Sequence, residues 1–354
     1  MNKGYSLGHS GIVKSVFCAS LMLFAQGTAQ AKLRVHHIFD DNMVLQRDKV
    51  VRIWGWAEAG ERVSVEFAGQ RQATTAGNEG KWVVELQPML ASQESRTLTV
   101  RGPENTVVFD NVLVGDVWIL GGQSNMEFPI ERVYHGDVEI ASAYQPNVRL
   151  TTIPVNASQR VVEDFPRINE FNAWNGEYEE KGYWRMCTPE SVKRFSAIGY
   201  IFGRRLCMAA QVPIGLIDAS RGGTTVEAWT SRAMLATIPD AEPLLRMWDD
   251  RIAAYDPNAE LRKRIAGWEQ ATEDRKKKGL APQPRPTEPP PSPALDQNNP
   301  GASYKWYARS LWRPVRPGGH FQPGLQQRPR GCSPPAVCQS LQRHDSGLAP
   351  HFSR

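Results

Sequence analysis

The chain has 354 residues, 42 Lys and Arg against 37 Asp and Glu, a formal charge of +5 and a pI near 8.9. Hydrophobic residues at 41% and charged residues at 22% exclude a fibrous or disordered chain, and the length leaves room for about two domains. The basic pI suggests an anionic partner, but residues 1–31 hold two bases and no acid, residues 305–354 eight bases and one acid, and residues 32–304 carry 32 bases against 36 acids. The body is mildly acidic, and a nucleic-acid partner is excluded for it.

Lys3 and Lys14 precede an apolar run from Val16 to Ala25, followed by Ala29-Gln30-Ala31 with the small-x-small form of a cleavage site. That run is shorter than the roughly 20 residues a bilayer needs. Residues 1–31 are expected to be a cleavable signal peptide cut near Ala31, which makes the mature protein secreted or periplasmic. No later stretch has the length and apolarity of a membrane span. Cys18 falls in the signal and Cys332 and Cys338 near the end, so only Cys187 and Cys207 lie in the body; with no Cys-x-x-Cys or His/Cys cluster, no metal is expected.

From residue 33 to about 112 the pattern is strand after strand. Residues 50–56, 62–67, 81–86 and 96–100 alternate with period two, and turns at Gly60, Gly69, Gly77-Asn78 and Gly102-Pro103 separate them. This predicts an antiparallel β-sandwich domain over residues 32–111. Residues 112–120 then form an apolar run ending at Gly121-Gly122, and 148–155 is another strand. Residues 191–210 read as a helix behind Thr188-Pro189-Glu190, and 213–219 as a buried strand. Strand, helix, strand with short connections predicts a parallel α/β domain over residues 112–304. Helices are expected at 241–255 and 259–278, and an extended segment over 281–300, where eight prolines fall.

Two blocks follow predicted strands, where α/β sheets bind ligands. Gly121-Gly122-Gln123-Ser124-Asn125-Met126 places a serine in a tight turn with its own N–H available to an oxyanion. The alternative is a plain polar turn; Met126 excludes the Gly-x-Ser-x-Gly elbow. Ala219-Ser220-Arg221-Gly222-Gly223-Thr224 offers bare backbone N–H groups, though a glycine pair alone is more often just a turn.

Together with Phe39-Asp40-Asp41-Asn42-Met43-Val44-Leu45-Gln46-Arg47, Gly115-Asp116-Val117-Trp118, Arg194-Phe195-Ser196-Ala197, Pro213-Ile214-Gly215-Leu216-Ile217 and Glu227-Ala228-Trp229, these blocks resemble the secreted sialate O-acetylesterase family of the SGNH hydrolase superfamily, from about residue 33 to 304. The resemblance implies an N-terminal β-sandwich followed by a flavodoxin-like hydrolase domain, a serine mechanism without cofactor or metal, and removal of acetyl groups from sugars. By position it makes Ser124 the nucleophile, with the Ser124 N–H and Gly222-Gly223 as oxyanion donors.

The family pattern also calls for a Gln-Gly block after the proline-rich stretch and a later Asp-x-x-His pair supplying base and orienting acid. Of His36, His37, His135, His320, His344 and His351, none lies three residues after an aspartate. Residues 305–354 hold seven Arg and seven Pro with no Ile and no Glu, which reads either as a basic, disordered tail or as a shifted reading frame. Read one base later, His320 to Gln327 permits a Gln-Gly block. The shifted frame is favoured, so the hydrolase domain is expected to be incomplete at its C-terminus. The expected function is a carbohydrate O-acetylesterase acting on acetylated sialic acid or a similar glycan, impaired because a serine without a base is a poor nucleophile. The alternatives are a non-catalytic carbohydrate-binding protein and an acetylxylan-type esterase.

Overall fold

The computed structural model describes residues 32–154, 163–172 and 174–308. The expected signal peptide, the tail beyond residue 308 with His320, His344, His351, Cys332 and Cys338, and Val155 lie outside the described residues.

Eight strands come first: β1 Arg34–Val35, β2 Val44–Gln46, β3 Val51–Trp56, β4 Arg62–Phe67, β5 Gln70–Thr75, β6 Lys81–Leu86, β7 Ser92–Arg101 and β8 Thr106–Leu120. One antiparallel layer runs β1-β3-β6; the other runs β8-β7-β4-β5. Their facing sides supply one core. Ile53, Trp82, Val84 and Leu86 of the first layer meet Val63, Val65, Phe67, Leu98 and Val100 of the second. The period-two alternation that predicted these strands is this burial pattern, with every second residue inward. Strand β5 escaped sequence reading because Gln-Arg-Gln-Ala-Thr-Thr has no apolar face; it lies at the end of the sheet order, and none of its side chains is fully buried.

Strand β8 is 15 residues long and runs straight through the boundary expected at 111/112. Its first half pairs with β7, and its second half pairs in parallel with β2 and with a later strand. After it come α1 Ser124–Glu127, α2 Gly136–Ala141, β9 Gln145–Thr152, the hairpin β10 Ile168–Asn172 and β11 Glu177–Lys181, β12 Arg185–Cys187, α3 Pro189–Val192, α4 Ala197–Ala210 and β13 Ile214–Asp218. The large sheet has the order β12-β9-β13-β8-β7-β4-β5, with β9, β13 and β8 parallel. The structure therefore has the expected mixed α/β class, with a sheet-rich N-terminal part.

The helix expected over 191–210 is two helices. Thr188 and Ser191 form a capping box on α3, and Ser196 accepts the Gly199 N–H to start α4 afresh. Helix α4 packs closely because a Cβ on Gly199 would stand 2.1 Å from Leu120 Cδ1 and one on Gly203 2.6 Å from Leu216 Cδ1. Cys187 and Cys207 are both free thiols, and burial pushes the Cys187 thiol up to about 12.

The remaining helices are α5 Val226–Trp229, α6 Arg232–Leu235, α7 Glu242–Ala253 and α8 Pro257–Lys277. The proline-rich stretch then returns along α8. Proline has no N–H to give a ladder, but its segment's carbonyls still accept: Tyr255 Oη donates to Pro290 O, Arg264 to Glu288 O, Trp268 Nε1 to Gln283 O and Arg275 Nε to Ala281 O. A last helical turn, Tyr304–Ala308, buries Trp306 in the core, with its Nε1 donating to Pro154 O at 2.9 Å. Among the described residues no helix is long and apolar enough to cross a membrane.

Candidate active site

The motif blocks at residues 39–47 and 115–118 are one structural unit. Arg47 grips Asp116 with two bonds, Nε to Oδ1 at 2.8 Å and a terminal nitrogen to Oδ2 at 3.0 Å, a bidentate pair. Gln46 Oε1 accepts the Val117 N–H. Together they fix the level at which β8 runs under β13, where Gly115 is required: a Cβ there would lie 2.0 Å from Pro213 O.

Strand β8 delivers the chain to Gly122, whose φ of +150° favours glycine, and then to Ser124 at the first position of α1. The turn is closed by Met126 N–H and Glu127 N–H donating to Gln123 O. It is braced from α4, where Ser196 Oγ sits 3.7 Å from Met126 Sδ and Ala197 N–H donates to Phe128 O. Ser124 is half-buried.

Strand β13 delivers the second block beside the first. Arg221 N–H donates to Gly122 O at 2.9 Å, and a Cβ built on Gly222 would stand 3.6 Å from Ser124 Cβ. The two segments singled out in the sequence thus meet at the carboxyl ends of adjacent parallel strands. The Gly222 N–H points into this corner and donates to a carboxylate oxygen, Glu127 Oε2, at 2.7 Å. Gly223, at φ +72°, is held from the other side: its carbonyl accepts from Gln297 Nε2 at 3.1 Å and Asn298 Nδ2 at 3.0 Å. Gln297 Oε1 also takes Arg221 Nε, and Asn298 Oδ1 takes the Thr225 N–H. Sequence reasoning missed Glu127, Gln297 and Asn298. The Asp-Gln-Asn-Asn run closing the proline-rich segment was the available signal, a polar cluster where a mere linker needs none.

Behind the corner, Asp218 is fully buried at the end of β13. Burial pushes its carboxyl up from 3.8 to about 6, against the opposing effect of Ser220, whose N–H and Oγ both donate to Oδ1. The described histidines lie elsewhere. His36 Nδ1 accepts the Ile38 N–H, and its Nε2 faces Asp164 Oδ1 at 3.2 Å. His37 Nδ1 lies 2.7 Å from Phe165 O and 3.3 Å from Asp164. His135 occupies the left-handed position before α2, against the Tyr134 ring. Among the described residues no histidine contacts Ser124. No group of three or more His, Cys, Asp or Glu among them is arranged to hold a metal.

The β-sandwich shares a strand with a parallel α/β unit, and this fold is similar to that of a solved enzyme of the carbohydrate esterase class. A carbohydrate acetylesterase from Xanthomonas citri superposes with a TM-score of 0.52, at 30% identity over 58% of this chain and 44% of that one. The particular relatives are sialate O-acetylesterases: those of Pongo abelii and Homo sapiens are each 30% identical over 224 residues, 60% of this chain and 41% of theirs. The resemblance read from the motifs is borne out, and the chain spans about two-fifths of the length of these curated relatives. No family model matches the sequence.

Proposed function

We propose that this protein is a carbohydrate O-acetylesterase of the serine type, exported from the cytoplasm, acting on an O-acetylated sugar such as an acetylated sialic acid. In this reading Ser124 Oγ attacks the acetyl carbonyl, the sugar hydroxyl leaves, and water hydrolyses the acetyl-serine. The Ser124 N–H and the Gly222-Gly223 loop steady the oxyanion. The observation that carries the reading is the Gly222 N–H, which sits against Ser124 and already holds an anionic oxygen. An acetyl oxyanion would compete with Glu127 for this donor. A relative of known structure named as a carbohydrate acetylesterase supports the substrate class.

No base reaches Ser124 among the described residues, so turnover by the chain as written is expected to be slow, on the order of 10⁴- to 10⁶-fold below an intact triad. The test is acetate release from an O-acetylated sialoside and from p-nitrophenyl acetate. Slow release that Ser124→Ala abolishes is expected; rapid Ser124-dependent release overturns the expected slowness, and release indifferent to that substitution overturns the reading. The missing base also favours a second reading, a carbohydrate-binding protein without turnover. Glycan binding with no Ser124-dependent acetate release would select it. Comparing acetylated sialoside with acetylated xylan separates a sialate esterase from an acetylxylan-type one.

A further inference from the structure

The β10–β11 hairpin is a feature that sequence reading did not find and the serine chemistry does not use. It stands at the same end of the sheet as Ser124: Gly182, just after β11, donates its N–H to Thr152 O at the carboxyl end of β9, and Ile153 N–H donates to Asp218 O. One face of the hairpin turns inward, with Glu170, Asn172, Glu179 and Lys181 covered and a Lys181–Glu170 ion pair of 3.0 Å. Phe171 and Tyr178, in register with each other, stay on the outer, exposed face.

In the turn between the strands stands Trp174. Its N–H donates to Asn172 Oδ1 at 2.9 Å, and its carbonyl accepts from Arg132. Its ring meets Phe128 edge to face, with centroids 5.2 Å apart and planes at 77°. Phe128 follows α1 directly, four residues after Ser124, or about 6 Å along a helix axis. Phe128 is the one ring recorded against the indole among the described residues, and Trp174 is only half-buried, whereas Trp82, Trp184, Trp248 and Trp306 are enclosed.

We propose that Trp174 is a stacking platform for the pyranose ring of the sugar that carries the acetyl group. The proposal rests on the esterase reading above and deepens it by assigning the sugar subsite. A pyranose presents an axial C–H face that is apolar and a rim of hydroxyls that is not; a flat, half-exposed indole beside hydrogen-bonding groups suits that shape. Side-chain bonds hold the hairpin around the platform. Glu179 accepts from Asn172 Nδ2 at 2.8 Å and Asn175 Nδ2 at 2.9 Å, and faces Arg194 Nε at 3.4 Å. Arg194 stands two residues before Ser196, which touches Met126 in the serine turn. Hairpin and serine turn therefore share one brace, and binding need not order either.

The test is calorimetric titration of the full chain with the methyl glycoside of an O-acetylated N-acetylneuraminic acid. Trp174→Ala is expected to weaken binding about ten-fold or more and Trp174→Phe by less, while the outer-face control Phe171→Ala leaves it unchanged. Near-UV circular dichroism and thermal melts check that each variant keeps its fold. Unchanged affinity in folded Trp174→Ala overturns the stacking role and leaves the esterase reading standing. If Trp174→Ala fails to fold, Trp174→Phe decides alone, and wild-type affinity there overturns the proposal. A wild-type protein that binds no O-acetylated sugar removes both.

Discussion

Asp218 shows how a single side chain can set the pH response of the fold. Its folded-state carboxyl titrates near 6 rather than 3.8 because it is buried, so the folded protein holds that proton more tightly than the unfolded chain does. The associated stabilisation is complete below the unfolded value, and it is lost as pH rises through about 6. Denaturant melts are expected to show a more stable protein at about pH 5 than at about pH 8, with Asp218 contributing roughly 1 kcal/mol of the difference. Asp218→Asn removes that share of the slope and can still accept the Ser220 bonds. Arg149 is the complementary case, a buried cation faced by neutral acceptors. Burial lowers it to about 10, and it is bonded to Pro146 O and to the carbonyl and side-chain oxygens of Asn42 and Asn111. Arg149→Lys keeps the charge but not the fork, and is expected to cost about 2–4 kcal/mol in a urea melt. At this scale the sequence was legible where residues came in blocks. Ser124 and Gly222 were each marked by glycines after an apolar strand, and they do meet. Glu127, Gln297 and Trp174 carried no such mark, because what they do depends on partners distant along the chain.

At the scale of elements, legibility followed burial. Strands with one inward face, such as β3, β4 and β6, announce themselves by alternation, and β13 by five consecutive buried residues. The β10–β11 hairpin was passed over because its inward face is polar, held by Glu179 and Lys181 rather than by hydrocarbon. Its Asn175-Gly176 turn, with Gly176 at φ +77°, was the one local sign. The break between α3 and α4 was hidden for a related reason: apolar spacing runs on across it, while Thr188 and Ser196 each start a helix. The element most sensitive to a single atom is β8. A methyl at Gly115 would meet backbone, Pro213 O at 2.0 Å, which cannot rotate away. Gly115→Ala is expected to lower stability by about 2–4 kcal/mol, read as a shift in the denaturation midpoint without loss of the strand-rich far-UV spectrum. A wild-type midpoint would mean that β8 and Pro213 can part without cost.

For the whole molecule, the decisive fact is that the sandwich and the α/β unit share a strand. Strand β8 pairs with β7 at one end and with β13 at the other, so neither half keeps its sheet if the other opens. Tryptophan fluorescence and far-UV circular dichroism are therefore expected to report coincident urea transitions. Two separated transitions would show that the halves open independently. Composition and alternation conveyed the two architectures; they did not convey the shared strand, because a long apolar run looks the same whether it has one sheet partner or three. The charge split pointed to residue 305 as the start of an alien composition, yet Trp306 is enclosed in the core, 2% exposed and bonded to Pro154. That tryptophan works as a length gauge. A chain cut back to Tyr304 would keep every residue matched to the esterase motifs and still leave an indole-sized hole beneath the end of β9, a loss of about 3–5 kcal/mol. Among the described residues, one ring carries the core two residues past the point where the resemblance ends.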